Sequence, residues 1–315
     1  MPKVSICIPT YKQVEHLRKT LCSVLEQDFT DYELIVSDDS SDDSVKNLLE
    51  EFDFKGKLNY FHNSPALGSP ANWNFAMSKA VGDYIKILHH DDYFTSSLSL
   101  KKFVKLLDND PYASFAFSAT TISLLALNTR KTHRCSSGQL KRIVNHPDAL
   151  FFVNYIGAPS ATIVRNNKKR SFDTNLKWLV DIDWYYQLIT NNAHVVNTSE
   201  ELICTVHGAN EQITRSVIAD KEIQIREHVY LFKKVFGGNI NLKKYSLFFE
   251  LLFDKYNVND LNELNSIYMI PEKMKPFFLE VLELKNNKIF VKRVIYWLKK
   301  STINDHIFTL RKLFK

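Results

Sequence analysis

The sequence has no Gly-x-Gly-x-x-Gly run after its first apolar stretch, no apolar segment long enough to span a bilayer, and no cysteines at metal or redox spacing. Each absence excludes something. Without the glycine run, the first strand-to-helix turn lacks the fingerprint of dinucleotide binding. The most apolar stretch, 113–127, is broken by Ser114, Ser118, Thr120, Thr121 and Ser123, and falls short of the roughly 18 to 20 apolar residues a spanning helix requires. Residues 1–9 run straight into a strand pattern, without the charged and apolar regions of a secretory leader. Cys7, Cys22, Cys135 and Cys204 share no ligand spacing, and Cys7 falls at a predicted buried strand position. A reduced, cytoplasmic protein is expected. Long Gly/Pro/Ser linkers and internal repeats are missing as well.

What is present is an ordinary globular composition: 315 residues, 45% hydrophobic and 24% charged, enough to bury a large core. The first ninety residues alternate short apolar runs with helical spacing, which predicts βαβαβαβ and a parallel sheet covered by helices. The predicted strands are 4–8, 33–37, 58–62 and 84–88. Val14, Leu17, Leu21, Val24 and Leu25 recur at helical spacing, as do Val45, Leu48, Leu49 and Phe52. Ser69-Pro70 reads as an N-cap followed by proline at the first helical position of a helix through Lys79. Strands at 114–121 and 161–164 and a helix around 183–190 follow. Beyond 216 the sequence turns helical, so a division into 1–215 and 216–315 is expected.

In an open parallel sheet, ligands bind outside the carboxyl ends of the strands. Three such ends carry polar residues here: Pro9-Thr10-Tyr11, Asp38-Asp39-Ser40-Ser41-Asp42-Asp43, and His89-His90-Asp91-Asp92. In this order, together with Gly82-Asp83-Tyr84-Ile85, they resemble the family 2 glycosyltransferases of the GT-A fold, over roughly residues 3–215. The resemblance implies a Rossmann-like, mostly parallel α/β sheet and a nucleotide-sugar donor. It implies that Pro9, Thr10 and Tyr11 border the nucleotide and that Asp39 accepts the imide N–H of uracil or thymine. An ionised carboxylate is acceptor-only, which suits that role. Asp42 and Asp43 read instead as caps of the next helix.

Asp91 and Asp92 match the family's Asp-x-Asp segment, whose hard oxygens hold Mg²⁺ or Mn²⁺ against the donor's phosphates. The family's first aspartate is His89 here, so one ribose or metal contact is lost or supplied by a histidine, with His90 beside the nucleotide. Consecutive histidines in an extended segment point in opposite directions, which argues against zinc. Val180-Asp181-Ile182-Asp183 resembles the family's Glu-Asp-x-Asp segment with Val180 in place of Glu. Asp181 then matches the base that deprotonates the acceptor hydroxyl, with Asp183 as the fallback and an N-cap role as the plain alternative for Asp181. Val206-His207-Gly208 and Thr214-Arg215 resemble the family's His-Gly segment, making His207 a third metal ligand and Arg215 a diphosphate partner. Trp73, Asn74 and Trp178 are candidates for the sugar or acceptor pocket, or for the core.

The net charge of +6 resides in the tail: from Lys285 to Lys315 there are nine Lys or Arg against one acid, Asp305. Phe290, Val291, Val294, Ile295 and Leu298 recur at helical spacing there, with Lys292, Arg293, Lys299 and Lys300 interleaved. Such a helix either lies on an anionic membrane surface or packs on the domain. No nucleic-acid recognition motif accompanies it. The expected activity is inverting transfer from a UDP-sugar, or second a dTDP-sugar, to a hydroxyl of a cell-surface glycan or lipid-linked oligosaccharide. One rival is a non-catalytic nucleotide-sugar-binding protein. The other, a nucleotidyltransferase, requires a Gly-rich phosphate loop where Thr10-Tyr11-Lys12-Gln13 stands.

Overall fold

The computed structural model describes residues 1–124, 127–168, 170–192, 194–207, 217–236 and 243–287. Gly208, Thr214, Arg215 and the basic tail from 288 onward lie outside the described residues, as does the side chain of His207. The chain divides into two compact units.

The first unit begins with β1 (Val4–Thr10), α1 (Val14–Leu25), β2 (Tyr32–Asp38), α2 (Ser44–Glu50), β3 (Leu58–His62), α3 (Ala71–Lys79) and β4 (Tyr84–Ile87). These are the alternating elements the periodicity predicts. Every residue of β1 is buried, the pattern of a strand covered by helices on both faces. Val4, Ile6 and Ile8 meet Leu17, Leu21 and Val24 of α1, and Leu34 and Val36 of β2 meet Val45, Leu48 and Leu49 of α2 in one apolar cluster. Helix α3 opens differently from the sequence expectation. Pro70, not Ser69, is its N-cap and makes no side-chain cap bond; the Gly68 carbonyl instead accepts the Asn72 N–H at 2.8 Å.

Then follow β5 (Tyr93–Phe94), α4 (Ser99–Asp108), β6 (Phe115–Leu124), β7 (Thr129–His133), α5 (Ser137–Asn145), β8 (Thr162–Arg165), α6 (Val180–Asn191) and β9 (Val195–His207). The sheet order is β3-β2-β1-β4-β8-β6-β9-β5, with β7 on β6. Strand β1 pairs in parallel with both β2 and β4, whereas β8 runs antiparallel to β4 and β6. The order therefore reverses between β1 and β4. That switch point is where neighbouring loops diverge and leave a crevice at the strands' carboxyl ends.

The second unit holds α7 (Lys221–Phe236), α8 (Lys243–Lys255), α9 (Leu261–Ile267) and α10 (Lys275–Asn286), helical as the spacing predicts. It also takes in two segments from the middle of the chain, Asp148–Val153 and Lys177–Leu179. Its core is aromatic: Phe151 lies 4.9 Å from Phe248 and Phe232 lies 4.9 Å from Phe249, ring centre to ring centre. The fully buried Glu227 carboxylate accepts the backbone N–H groups of Lys177, Trp178 and Leu179 at 2.7, 2.8 and 3.0 Å. Three amide dipoles thereby replace the water such a charge requires.

Two features of β4 generate tests. Gly82, just before the strand, has room for no side chain: an added Cβ would sit 2.8 Å from the Ser5 backbone nitrogen and 2.9 Å from the Val4 carbonyl carbon. Gly82→Ala is expected to lower stability by about 1–3 kcal/mol, as overpacking does, measured by denaturant unfolding. Lys86 is wholly buried and donates to the carbonyls of Ile87 and Ser160. Burial pushes its pKa down to about 7, against a smaller opposing pull from Asp92. Between pH 7 and 10 the unfolded chain holds this proton and the folded chain does not, so Lys86 makes stability rise with pH. Comparing unfolding free energies of wild type and Lys86→Met across that range should show the wild type gaining on the variant; parallel curves would refute a neutral Lys86.

Candidate active site

At the end of β1, Thr10 is buried and its hydroxyl has no hydrogen-bond partner among the described residues, while Tyr11 is 48% exposed. Lys12 and Gln13 then take positive φ values of 55° and 50°, which swing the chain into α1. The Lys12 N–H donates to Ser40 Oγ at 2.8 Å, tying this turn to the end of β2. Asp38 is structural: its carboxylate accepts from the Ser40 N–H and the Tyr60 hydroxyl at 2.8 and 2.9 Å. Asp39 is buried and accepts from Asn63 Nδ2 at 2.8 Å, Leu67 N–H at 3.1 Å and Gly68 N–H at 2.8 Å. A carboxylate offers about four lone-pair positions, so Asp39 keeps room for one further donor. Asp42 accepts the Ser44 N–H at 3.0 Å at the start of α2, and Asp43 occupies the N-cap without a side-chain bond.

At the end of β4 the chain turns sharply, the Asp92 N–H donating to the His89 carbonyl at 3.0 Å. Thr20 of α1 braces the turn, its hydroxyl 2.8 Å from the carbonyls of both His90 and Asp92. Burial pushes His89 down to about 4 and lowers His90 as well, so both imidazoles are neutral at pH 7. The His89 ring lies 4.5 Å from the Trp73 ring, and His90 Nδ1 lies 3.4 Å from the Pro9 carbonyl. Asp92 is buried, and that burial, then the charge of Asp91, raises its pKa well above the carboxylate range. It accepts from the Ser160 hydroxyl and the Val206 N–H. The latter bond brings Asp92 against the end of β9, where His207 stands.

Asp181 lies inside the first turn of α6, one residue past its start, so it is not the helix N-cap. Its Oδ2 accepts from Asn154 Nδ2 at 2.8 Å. Asp183 is fully buried and its Oδ2 accepts from Gln187 Nε2 at 2.6 Å. Of the two carboxylates, Asp181 alone retains some exposure. The Tyr185 phenol, raised well above its ordinary pKa by burial, feels the charges of both Asp181 and Asp92, which puts the two carboxylates within electrostatic range of one group.

The residues that join these groups were not apparent in the sequence. Asn154 fixes Asp181 while binding the backbone of Ile156 and Gly157. Six residues later, Ser160 donates to Asp92 and accepts the His89 N–H at 3.0 Å. Tyr185 closes the frame by donating to the Gly157 carbonyl at 3.0 Å. One short segment between β7 and β8 therefore positions both the Asp181 side and the Asp91–Asp92 side. Asn63 and Asn72 are the equivalent braces below β1 and β2, bonded to Ser37, Asp39 and the Thr10 carbonyl. Trp73 packs between His89 and Phe172, and Asn74 exchanges two hydrogen bonds with the Phe172 backbone. Trp178 belongs to the second unit.

Two observations bear on ligands. Thr10 Oγ1, Gln13 Oε1, His89 Nε2 and His90 Nε2 are buried without a partner among the described residues. Such atoms each cost about 1–3 kcal/mol unless something bonds to them, and all four come from the turns that end β1 and β4. The adjacent acids Asp91 and Asp92 repel, which a hard divalent cation would relieve. Among the described residues no three His, Cys, Asp or Glu side chains come together as a metal cluster; the third predicted ligand, His207, is described in its backbone only.

A sequence model of glycosyl transferase family 2 matches residues 5–170, more than half of the chain. An uncharacterized Mycobacterium tuberculosis protein is 25% identical over 72% of this chain and 74% of its own length. The GalNAc(5)-diNAcBac-PP-undecaprenol beta-1,3-glucosyltransferase of Campylobacter jejuni is 35% identical over 98 residues, 30% of this chain and 32% of that one. The match thus spans only about a third of that enzyme. Among solved structures, S. aureus TarS 1-349 in complex with UDP-GlcNAc superposes with a TM-score of 0.59 at 14% identity, covering 98% of this chain and 90% of that one. The mannosyltransferase PcManGT from Pyrobaculum calidifontis, in complex with GDP-Man and Mn²⁺, gives a TM-score of 0.55 at 13% identity, covering 99% and 86%. The likeness to these structures is one of fold, and the chain belongs to glycosyl transferase family 2.

Proposed function

We propose that the protein transfers a sugar from a nucleoside-diphosphate donor, a UDP-sugar before a dTDP-sugar, to a hydroxyl of a cell-surface glycan or lipid-linked oligosaccharide, with inversion. The observation that carries this reading is the single segment holding Asp181 through Asn154 and Asp92 through Ser160. A base on one side and paired acids on the other are the two ends of an in-line displacement. Asp39, with one acceptor position left, takes the imide N–H of the pyrimidine. Asp181 takes the proton of the acceptor hydroxyl, and the oxygen attacks the anomeric carbon as the nucleoside diphosphate leaves from the opposite face. Asp91 and Asp92, with His207, would hold a Mn²⁺ or Mg²⁺ that supplies charge stabilisation for the departing diphosphate.

Family membership supports the donor class, and the UDP-GlcNAc complex of TarS supports uridine. The Campylobacter enzyme acts, by its name, on an undecaprenol-linked acceptor, which favours a lipid-linked one here. The basic stretch from 285 onward would then rest on the inner membrane surface. A non-catalytic nucleotide-sugar binder remains the rival, because His89 and Val180 stand where the family has acids.

Nucleotide release from UDP-, dTDP- and GDP-sugars, with Mn²⁺ or EDTA, tests this reading. Release from one donor should need metal and vanish in Asp91→Ala. With acceptor present, Asp181→Asn should lose about 10²–10⁴ in turnover, the usual contribution of a general base, while still binding donor. Wild-type turnover in Asp181→Asn would remove it as the base. Donor binding with no transfer to any acceptor would favour the rival.

A further inference from the structure

A second cleft, of about 360 Å³, lies within the first unit away from the site just described. Its place follows from register: Val164 and Arg165 pair antiparallel with Ile85 and Tyr84, at the start of β4, whereas Asp91 and Asp92 follow the end of that strand. Met77, Ile85, Val164 and Trp184 give it an apolar floor, with Asn166, Lys168 and Arg170 around it.

Three side chains of this cleft, Arg170, Trp184 and Asn166, keep a polar group without a partner among the described residues. Arg165 is already occupied, its guanidinium donating to the carbonyls of Leu107, Asp110 and Ala113 at 2.7 to 3.1 Å. Arg170 is not: it is partly buried, its pKa is lowered by desolvation alone, and it has no hydrogen bond or ion pair among the described residues. A desolvated guanidinium without a carboxylate calls for an anion from outside the chain. Trp184 is 1% exposed, and its indole N–H has no acceptor among the described residues. Asn166 donates its amide to the carbonyls of Ala80 and Gly82 at 3.3 and 2.8 Å, which fixes its orientation and leaves its buried Oδ1 without a donor among the described residues.

We propose that this cleft binds a hydroxyl-bearing phosphate ester, with Arg170 and Lys168 on the phosphate and Trp184 and Asn166 on its other polar atoms. A phosphate offers three acceptor oxygens to the guanidinium, the ammonium and the indole N–H. An ester hydroxyl supplies the donor that Asn166 Oδ1 lacks, and the carbon skeleton covers Met77, Ile85 and Val164. A carboxylate would have one oxygen fewer for the three donors, and a bound water would leave the Arg170 charge uncompensated.

Isothermal titration with sn-glycerol 3-phosphate, inorganic phosphate and glycerol tests the assignment, using the full chain with saturating UDP and Mn²⁺ so that the strand-end site is filled. A separate UDP titration reports that site on its own, so failure of the donor reading remains distinguishable. Glycerol phosphate should bind saturably at one site, more tightly than phosphate, and glycerol should not bind. Arg170→Gln should weaken binding at least tenfold. Ser78→Trp, an exposed helix position at the cleft, should block it without removing any charge. Absence of saturable binding, or binding unchanged in both variants, overturns the proposal. Inorganic phosphate binding as tightly as the ester overturns the role given to Asn166.

Discussion

The parallel pairing of β1 with β2 on one side and β4 on the other is the constraint from which the rest of the site follows. It brings three strands to their carboxyl ends side by side, and the reversal of order between β1 and β4 opens the crevice there. Without the parallel pairing, Thr10, Asp39 and Asp91 would be residues on three unrelated turns.

Holding polar groups at a buried strand end is costly, and the chain offsets that cost with neutral braces. Asn63 and Asn72 bond the groups below β1 and β2, Thr20 bridges two carbonyls of the β4 turn, and Ser160 serves both His89 and Asp92. Neutral donors can satisfy carboxylates and carbonyls without adding charges that would compete with a ligand for them. The same economy appears in the second unit, where Glu227 meets three backbone amides. Among the described residues, buried atoms without a partner include four in the strand-end turns and two around the second cleft, where ligands are expected, although others, such as Thr120 Oγ1, have no such account.

The departures from the family pattern acquire a physical meaning in this setting. His89 places a neutral, buried imidazole packed against Trp73 where the family resemblance has an acid, so no third carboxylate is crowded against Asp91 and Asp92. Val180 is buried in the first turn of α6, and Asp181 takes its support from Asn154, a residue far away in sequence.

The sequence alone determined the alternation of strands and helices in the first ninety residues, because fully buried strands and one-sided helices impose unmistakable periodicities. Strand 58–62, which is only partly buried, also has the bounds the pattern predicts. The sequence also marked the strand ends as chemical, since acids and histidines are expensive to place there without use. The helix start at Ala71 instead of Pro70, the three donors on Asp39 and the burial of Asp183 were decided by tertiary structure. So were the braces Asn154 and Ser160 and the cleft around Arg170 and Trp184. Those features are contacts between residues remote along the chain, and no local spacing encodes which amide or hydroxyl will arrive beside a given carboxylate.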